Sequence, residues 1–187
     1  MLKMKKLMSN SRKFMKKNPD VADVVLFGSS VRNKIMPKDV DLCCVLFEEN
    51  KKRHFKIMQD LETLLKSIGK IHVSILSMKT FPKESLLKPL IHEGYSLYRK
   101  KWIHEMLGYD SMALFWYNLP KLIPKDKVRF YYALKGRNGL SGIMKRTGAL
   151  SLGKAVIAVP IKNEDEMRSF LMSWKIPFNR RRILMEK

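Results

Sequence analysis

Asp39 and Asp41 stand two positions apart, and nine residues separate Ser29 from Asp39 in the stretch that opens with Gly28-Ser29-Ser30. In a β-strand, residues two apart emerge on one face, about 7 Å from one another. Two carboxylates at that separation suit hard cations with oxygen ligands, and a pair of Mg²⁺ (or Mn²⁺) ions roughly 3.5–4 Å apart is the arrangement they would hold. Gly28 has no side chain, so the backbone there can approach a phosphate closely. The N–H groups of a helix start, with the hydroxyls of Ser29 and Ser30, are donors for phosphate oxygens. The combined chemistry is that of a metal-bound polyphosphate.

The surrounding pattern supplies elements to position these groups. Val24 to Phe27 form a short apolar run that ends at Gly28, as a buried strand would. Residues 39–47 read as a second strand, and Ile71 to Leu76 as a third with period-2 alternation. Between them, Phe55, Met58, Leu61, Leu64 and Leu65 recur at steps of three and four, an amphipathic helix stopped by Gly69. Residues 1–17 and 83–93 also carry helical spacing. The order helix–strand–strand–helix–strand–helix predicts a mixed α/β (α+β) unit over residues 1–101. A basic α/β module over 102–187 follows: helices over 110–118 and 125–135, then a βαβ-like run of strand 155–159, helix 164–174 and strand 178–185.

Composition narrows the partners. Against 38 Lys and Arg stand 17 Asp and Glu, a formal net charge of +21 on 187 residues. The excess is +12 over residues 1–101 and +9 over 102–187, so it is not a single basic tail. Such a balance points to polyanions, nucleic acid first and nucleotide phosphates second. No stretch of about 18 apolar residues occurs, which excludes a membrane-spanning helix, and stable membrane association is not expected. The first 17 residues hold seven basic and no acidic side chains, and they read as a helix packed on the domain, not as a targeting segment. Cys43 and Cys44 are adjacent and read as small core residues of a reducing compartment, with the cytoplasm as the expected location. His54, His92 and His104 lie singly and take no role. Candidate nucleic-acid contacts are Lys135 and Arg137 in a Gly-studded stretch, Lys145 and Arg146 after it, and Arg180, Arg181 and Arg182. The aromatic set over 115–132 recurs at three- and four-residue steps, the spacing of a core.

Gly28-Ser29, the spacer and Asp39-Val40-Asp41 resemble the signature of the DNA polymerase beta-like nucleotidyltransferase superfamily, in particular its small, minimal members. The likeness extends over residues 20–98, to the ending Glu93-Gly94-Tyr95-Ser96-Leu97-Tyr98. The resemblance implies a nucleotidyltransferase-type small mixed sheet with flanking helices. It also implies Mg²⁺-dependent transfer of a nucleotide from an NTP to a hydroxyl, with Asp39 and Asp41 as metal ligands. Gly28, Ser29 and Ser30 would hold the triphosphate, and Arg32 would add a fork of donors. Members of that family often carry a third carboxylate on the later strand. Here alternation puts His72 and Ser74 on that face, and a neutral His72 can accept a proton but is not an anionic ligand. A borrowed carboxylate would have to come from elsewhere, such as Glu93 or Asp110. Given the charge, nucleic acid is the expected acceptor, RNA ahead of DNA. Two other readings stay open: a nucleic-acid-binding protein that keeps the fold without efficient catalysis, and an antitoxin-like enzyme that modifies a protein partner.

Overall fold

In the computed structural model, residues 2–28, 31, 39–49, 51–79, 85–119 and 122–187 are described. The chain divides into two units, residues 1–107 and 108–187. The division falls six residues beyond the boundary expected at 101, because a short helix over 103–106 packs Ile103 against Val25 and Leu90 of the first unit.

The first unit begins with α1 (Leu2–Lys17) and continues with β1 (Val21–Phe27), β2 (Asp39–Leu46), α2 (Lys51–Leu65) and β3 (Lys70–Ser77). Then come α3 (Leu87–Glu93), β4 (Tyr95–Ser96), β5 (Lys101–Trp102) and α4 (Ile103–Met106). The strands form one five-stranded sheet in the order β3-β2-β1-β4-β5. β2 and β3 run parallel, joined by α2 as a crossover, and the other pairs are antiparallel. Alternation sorts the side chains. Val24, Leu26, Leu42, Cys44 and Leu46 face a core built with Leu7 and Phe14 of α1 and with Ile57, Leu61 and Leu65 of α2. Val25, Cys43 and Leu76 face the other way, against Leu90 of α3. Both cysteines are fully buried among apolar residues, and burial pushes the Cys44 thiol far above its ordinary pKa. The helical stripe of α2 is centred on Ile57, Leu61 and Leu65, and Phe55, expected to belong to it, is 76% exposed.

The second unit holds β6 (Tyr109–Tyr117), α5 (Pro124–Lys135), the hairpin β7 (Gly136–Arg137) and β8 (Leu140–Ser141), and α6 (Ile143–Thr147). It ends with β9 (Leu150–Gly153), β10 (Val156–Pro160), α7 (Glu164–Ser173) and β11 (Phe178–Glu186). Its main sheet is antiparallel throughout, in the order β11-β6-β10-β9. β10 and β11 both run antiparallel to β6 and therefore parallel to each other, with α7 crossing between them. This is a split βαβ inside a β-α-β-β-α-β succession, with the small hairpin and α6 inserted after α5. The helix expected over 110–118 is a strand. Ser111, Ala113, Phe115 and Tyr117 alternate into the core, and the pairing of this segment with β10 and β11 on its two sides makes it a central strand. The core that β6 builds with Phe130, Leu134, Met167 and Leu171 absorbs Phe115, Tyr117 and Phe130 of the aromatic set. Tyr131 and Tyr132 stay more than a third exposed. Among the described residues, no helix is long and apolar enough to cross a membrane.

Candidate active site

The register of β1, β2 and β3 brings the site together. Phe27 lies opposite Asp41 across β1 and β2, and β1 stops there. Gly28 turns the chain at φ 72°, in the left-handed region that favours glycine. A Cβ on Gly28 would stand 2.7 Å from Asp41 Oδ2, so only glycine lets the turn lie against that carboxylate. The Val31 N–H donates to the Gly28 carbonyl at 3.3 Å and closes the turn. Ser29, Ser30 and Arg32, the other expected phosphate contacts, lie outside the described residues.

Asp39 and Asp41 share the face of β2 opposite the side from which Leu42 and Cys44 enter the core. On the parallel neighbour β3, Lys70 lies beside Asp39, His72 beside Asp41 and Ser74 beside Cys43. His72, not Ser74, therefore occupies the position next to the carboxylates. Its Nε2 is 3.8 Å from Asp39 Oδ2, and Lys70 Nζ is 3.8 Å from Asp39 Oδ1. These ion pairs are solvent-exposed and long, and contacts of that kind contribute at most about 1 kcal/mol. They leave Asp39 open to exchange its partners for a metal ion. Asp41 makes no hydrogen bond or ion pair with another described residue. Lys70 escaped the sequence reading, although the alternation that picks out His72 and Ser74 places Lys70 on the same face.

The donor set is compatible with Mg²⁺. Mg²⁺ is commonly held by one or two carboxylates, with substrate phosphates and water completing its shell. Two half-exposed aspartates on one strand face provide that much, and among the described residues no cluster of three or more His, Cys, Asp or Glu side chains forms a closed cage. Of the two carboxylates considered as substitutes, Glu93 is buried at the end of α3 and Asp110 of β6 is 3.8 Å from Lys187 Nζ.

Residues 10–102 match the family model described as polymerase beta, nucleotidyltransferase. The first unit is a nucleotidyltransferase domain of this family. Three solved structures are similar to it at low identity. A toxin–antitoxin structure with AMP-PNP is 17% identical, over 49% of this chain and 72% of that one, with a TM-score of 0.37. A mutant of the toxin–antitoxin pair MntA–HpeT is 14% identical, with the same coverage and TM-score. A proposed nucleotidyltransferase from Sulfolobus solfataricus is 14% identical, over 50% of this chain and 77% of that one, with a TM-score of 0.34. No curated protein matches the chain significantly.

Within the nucleotidyltransferase domain, the Glu93–Tyr98 ending adds β4 to the sheet between β1 and β5. Tyr95 and Ser96 pair with β1, and Leu97 is fully buried in the α1–α2 core. Ser96 Oγ donates to Asp23 Oδ2 at 2.6 Å, the Val24 N–H donates to Oδ1, and Arg99 stands 3.5 Å away. Burial nevertheless wins, and it raises the Asp23 carboxyl above its ordinary pKa.

The expected nucleic-acid contacts of the second unit are placed unequally. Arg180 and Arg182 face the helices and pair with Glu164, which is fully buried. Arg146 pairs with Glu166 at 2.5 Å. Arg181 is exposed and, by alternation, projects to the opposite side of β11. The Arg137 guanidinium lies over the Tyr132 ring at 4.5 Å, and Lys135 lies 6.0 Å from the ring of Tyr131. Lys145 is exposed on α6. The Gly-studded stretch is a tight hairpin: a Cβ on Gly136 would meet the Leu140 carbonyl at 2.3 Å, and one on Gly142 the Leu134 carbonyl at 2.4 Å. Gly136 and Gly142 answer to backbone packing.

Proposed function

We propose that the protein transfers a nucleotide from an NTP to a hydroxyl of a nucleic acid, RNA ahead of DNA, in a Mg²⁺-dependent reaction in the cytoplasm. The observation that carries this reading is the convergence of Gly28, Asp39 and Asp41 at the adjoining ends of β1 and β2, with Gly28 lying against the Asp41 carboxylate. Asp39 and Asp41 would hold Mg²⁺, or Mn²⁺ in its place, which supplies Lewis-acid stabilisation of the attacking and leaving oxygens. The Gly28 turn, with Ser29, Ser30 and Arg32, receives the triphosphate. The acceptor oxygen forms a bond to the α-phosphorus, the bond from that phosphorus to the pyrophosphate oxygen breaks, and the hydroxyl proton is lost. His72 takes the place of the family's third carboxylate, so this chain brings less negative charge to the reacting centre than a three-carboxylate site. The acceptor reading is supported by the net charge of +21.

The test offers each labelled NTP with Mg²⁺ to the wild-type protein and to Asp41→Ala, with RNA and DNA pools as acceptors. Label on nucleic acid from wild type, absent from the variant and with EDTA, is the expected result. Label that appears only on protein, or not at all, would overturn the acceptor or the transfer, respectively.

A further inference from the structure

Within the first unit, α1 contributes Lys5, Arg12, Lys13 and Lys16 to a groove of about 1200 Å³, and the turn after β4 contributes Arg99 and Lys100. Arg12 ties the two elements together by donating to the Tyr98 carbonyl at 3.2 Å. Helix α1 contains no acidic residue. Among the described residues, no carboxylate pairs with Lys5, Arg12, Lys13, Lys16 or Lys100, and of the six only Arg99 has one, Asp23. In the second unit, by contrast, Arg146 pairs with Glu166, and Arg180 and Arg182 share Glu164. The groove therefore gathers five cations that no carboxylate of a described residue compensates.

Two further features say what fits it. Tyr98 and Phe47 line the groove with 52% and 53% of their surface exposed, which offers flat apolar faces among the cations. A basic channel with exposed aromatic rings is the chemistry that tracks phosphates and stacks bases of single strands. The volume exceeds the ~300–1,000 Å³ of ordinary small-molecule pockets, which favours a polymer over a free nucleotide. An anionic membrane is disfavoured, because Leu7 and Phe14 of α1 are already buried in the core.

The groove also stands in a definite relation to the transfer site. Val21 and Ala22, where β1 begins, line it, and β1 ends at Gly28. Six strand steps lead from Val21 to Phe27, about 20 Å. β1 is buried on both faces, so a nucleic acid must pass around the sheet, and at ~3.4 Å per stacked nucleotide it needs at least about six nucleotides to do so. We propose that this groove binds a single-stranded stretch of nucleic acid, with phosphates against the six cations and bases against Tyr98 and Phe47. It thereby holds the body of the acceptor while its reacting end reaches Asp41. The proposal rests on the nucleic-acid reading of the acceptor, but the binding needs neither NTP nor metal.

The experiment measures binding of labelled 12-nucleotide RNA and DNA strands to the full chain by fluorescence anisotropy in EDTA, without NTP, across a salt series. The variants are the triple substitution Lys5→Gln, Lys13→Gln, Lys16→Gln and the single substitution Tyr98→Ala. An equal-charge control replaces exposed Lys154, Lys162 and Lys175 of the second unit with Gln. Losing three phosphate contacts should lower the log–log salt slope by about 2 and the affinity on the order of 100-fold near 0.1 M salt. Tyr98→Ala should weaken binding about tenfold or more at unchanged slope, and the control should bind as wild type. RNA and DNA arms that both respond identify the backbone as the ligand, and an RNA-only response identifies ribose as well. The proposal is overturned if the triple variant binds as wild type, if the control loses as much, or if anionic vesicles displace the strands through the same lysines. Because binding is read without turnover, a dead enzyme that binds strands refutes the transfer reading alone.

Discussion

β2 and β11 each carry like charges two residues apart on one strand face, and the structure treats them in opposite ways. On β11, Arg180 and Arg182 converge on Glu164, a fully buried carboxylate at the start of α7. On β2, Asp39 stands 3.8 Å from exposed Lys70 and His72, and Asp41 lies against the bare backbone of Gly28. The spacing is identical and the physics is not. A carboxylate as buried as Glu164 is costly to strip of its partners, because its charge would be left without water or counter-ion. A pair in water is held by little more than thermal energy and yields to a stronger ligand. The first arrangement builds a fold, and the second leaves a site available.

The largest effect that would break this contrast is on β11. Glu164→Gln removes the charge that two partly exposed arginines share, and it should cost about 1–3 kcal/mol. For a unit of this size that corresponds to a melting-temperature drop of about 4 °C or more. A thermal melt of the variant that coincides with wild type would show that Glu164 is no more structural than Asp41.

Next comes the converse. Asp41→Ala should leave the melt within about 0.5 kcal/mol of wild type, yet reduce nucleotide transfer at least about 100-fold, given the several kcal/mol that metal assistance contributes. A stability loss comparable to that of Glu164→Gln, measured by denaturant titration, would erase the difference between the strands.

Gly28→Ala sharpens the comparison from the backbone side. The new Cβ must displace the Asp41 carboxylate and also occupy a positive-φ position, at a cost of about 1–2 kcal/mol. NTP affinity, read by calorimetry with Mg²⁺, should fall more than the folding stability does. Equal binding would separate the turn from the carboxylate.

A smaller change is expected at the neighbouring strand. His72→Asp adds a third carboxylate beside Asp41 in place of an imidazole, and it should raise single-turnover transfer several-fold, up to about tenfold (~1.4 kcal/mol). Loss of transfer in that variant would show that the imidazole itself is required.

The smallest effect concerns Asp23, which shares the sheet face of Asp39 and Asp41 but is buried. Its raised pKa means that the folded state holds the carboxyl proton more tightly than the unfolded state does. Its contribution to stability is therefore complete below the ordinary value of 3.8 and is lost as pH rises through the raised value. Urea unfolding followed as pH rises from below 3.8 should show a decline in stability that Asp23→Asn flattens. A slope unchanged by the substitution would assign the titration to another group.

Much of the first unit was legible because its signals are local. The stop at Gly28, the i, i+2 pairing of Asp39 and Asp41, the alternation of 71–76 and the helical stripe ending at Leu65 all follow from chain geometry. The second unit was less legible at β6. Residues 110–118 contain an apolar, aromatic run that satisfies three- and four-residue steps as well as two-residue steps, and only the strands on either side settle which is used. The same holds for Phe55, whose spacing fits the stripe of α2 but whose direction leads to solvent.

By itself, the sequence determined the spacing of Gly28, Asp39 and Asp41, the mixed sheet-and-helix character of the chain and its positive charge. Composition and spacing are properties of the chain and survive any arrangement of it. Tertiary structure alone decided which charges remain available. It set His72 rather than Ser74 beside the aspartates through the parallel register of β2 and β3. It also set Arg146, Arg180 and Arg182 on glutamates, while Lys5, Arg12, Lys13 and Lys16 of α1 meet no carboxylate among the described residues. The reason is the distance dependence and dielectric dependence of ionic interactions: a charge acts on whatever the fold brings within a few ångströms, and its strength depends on how much water remains there.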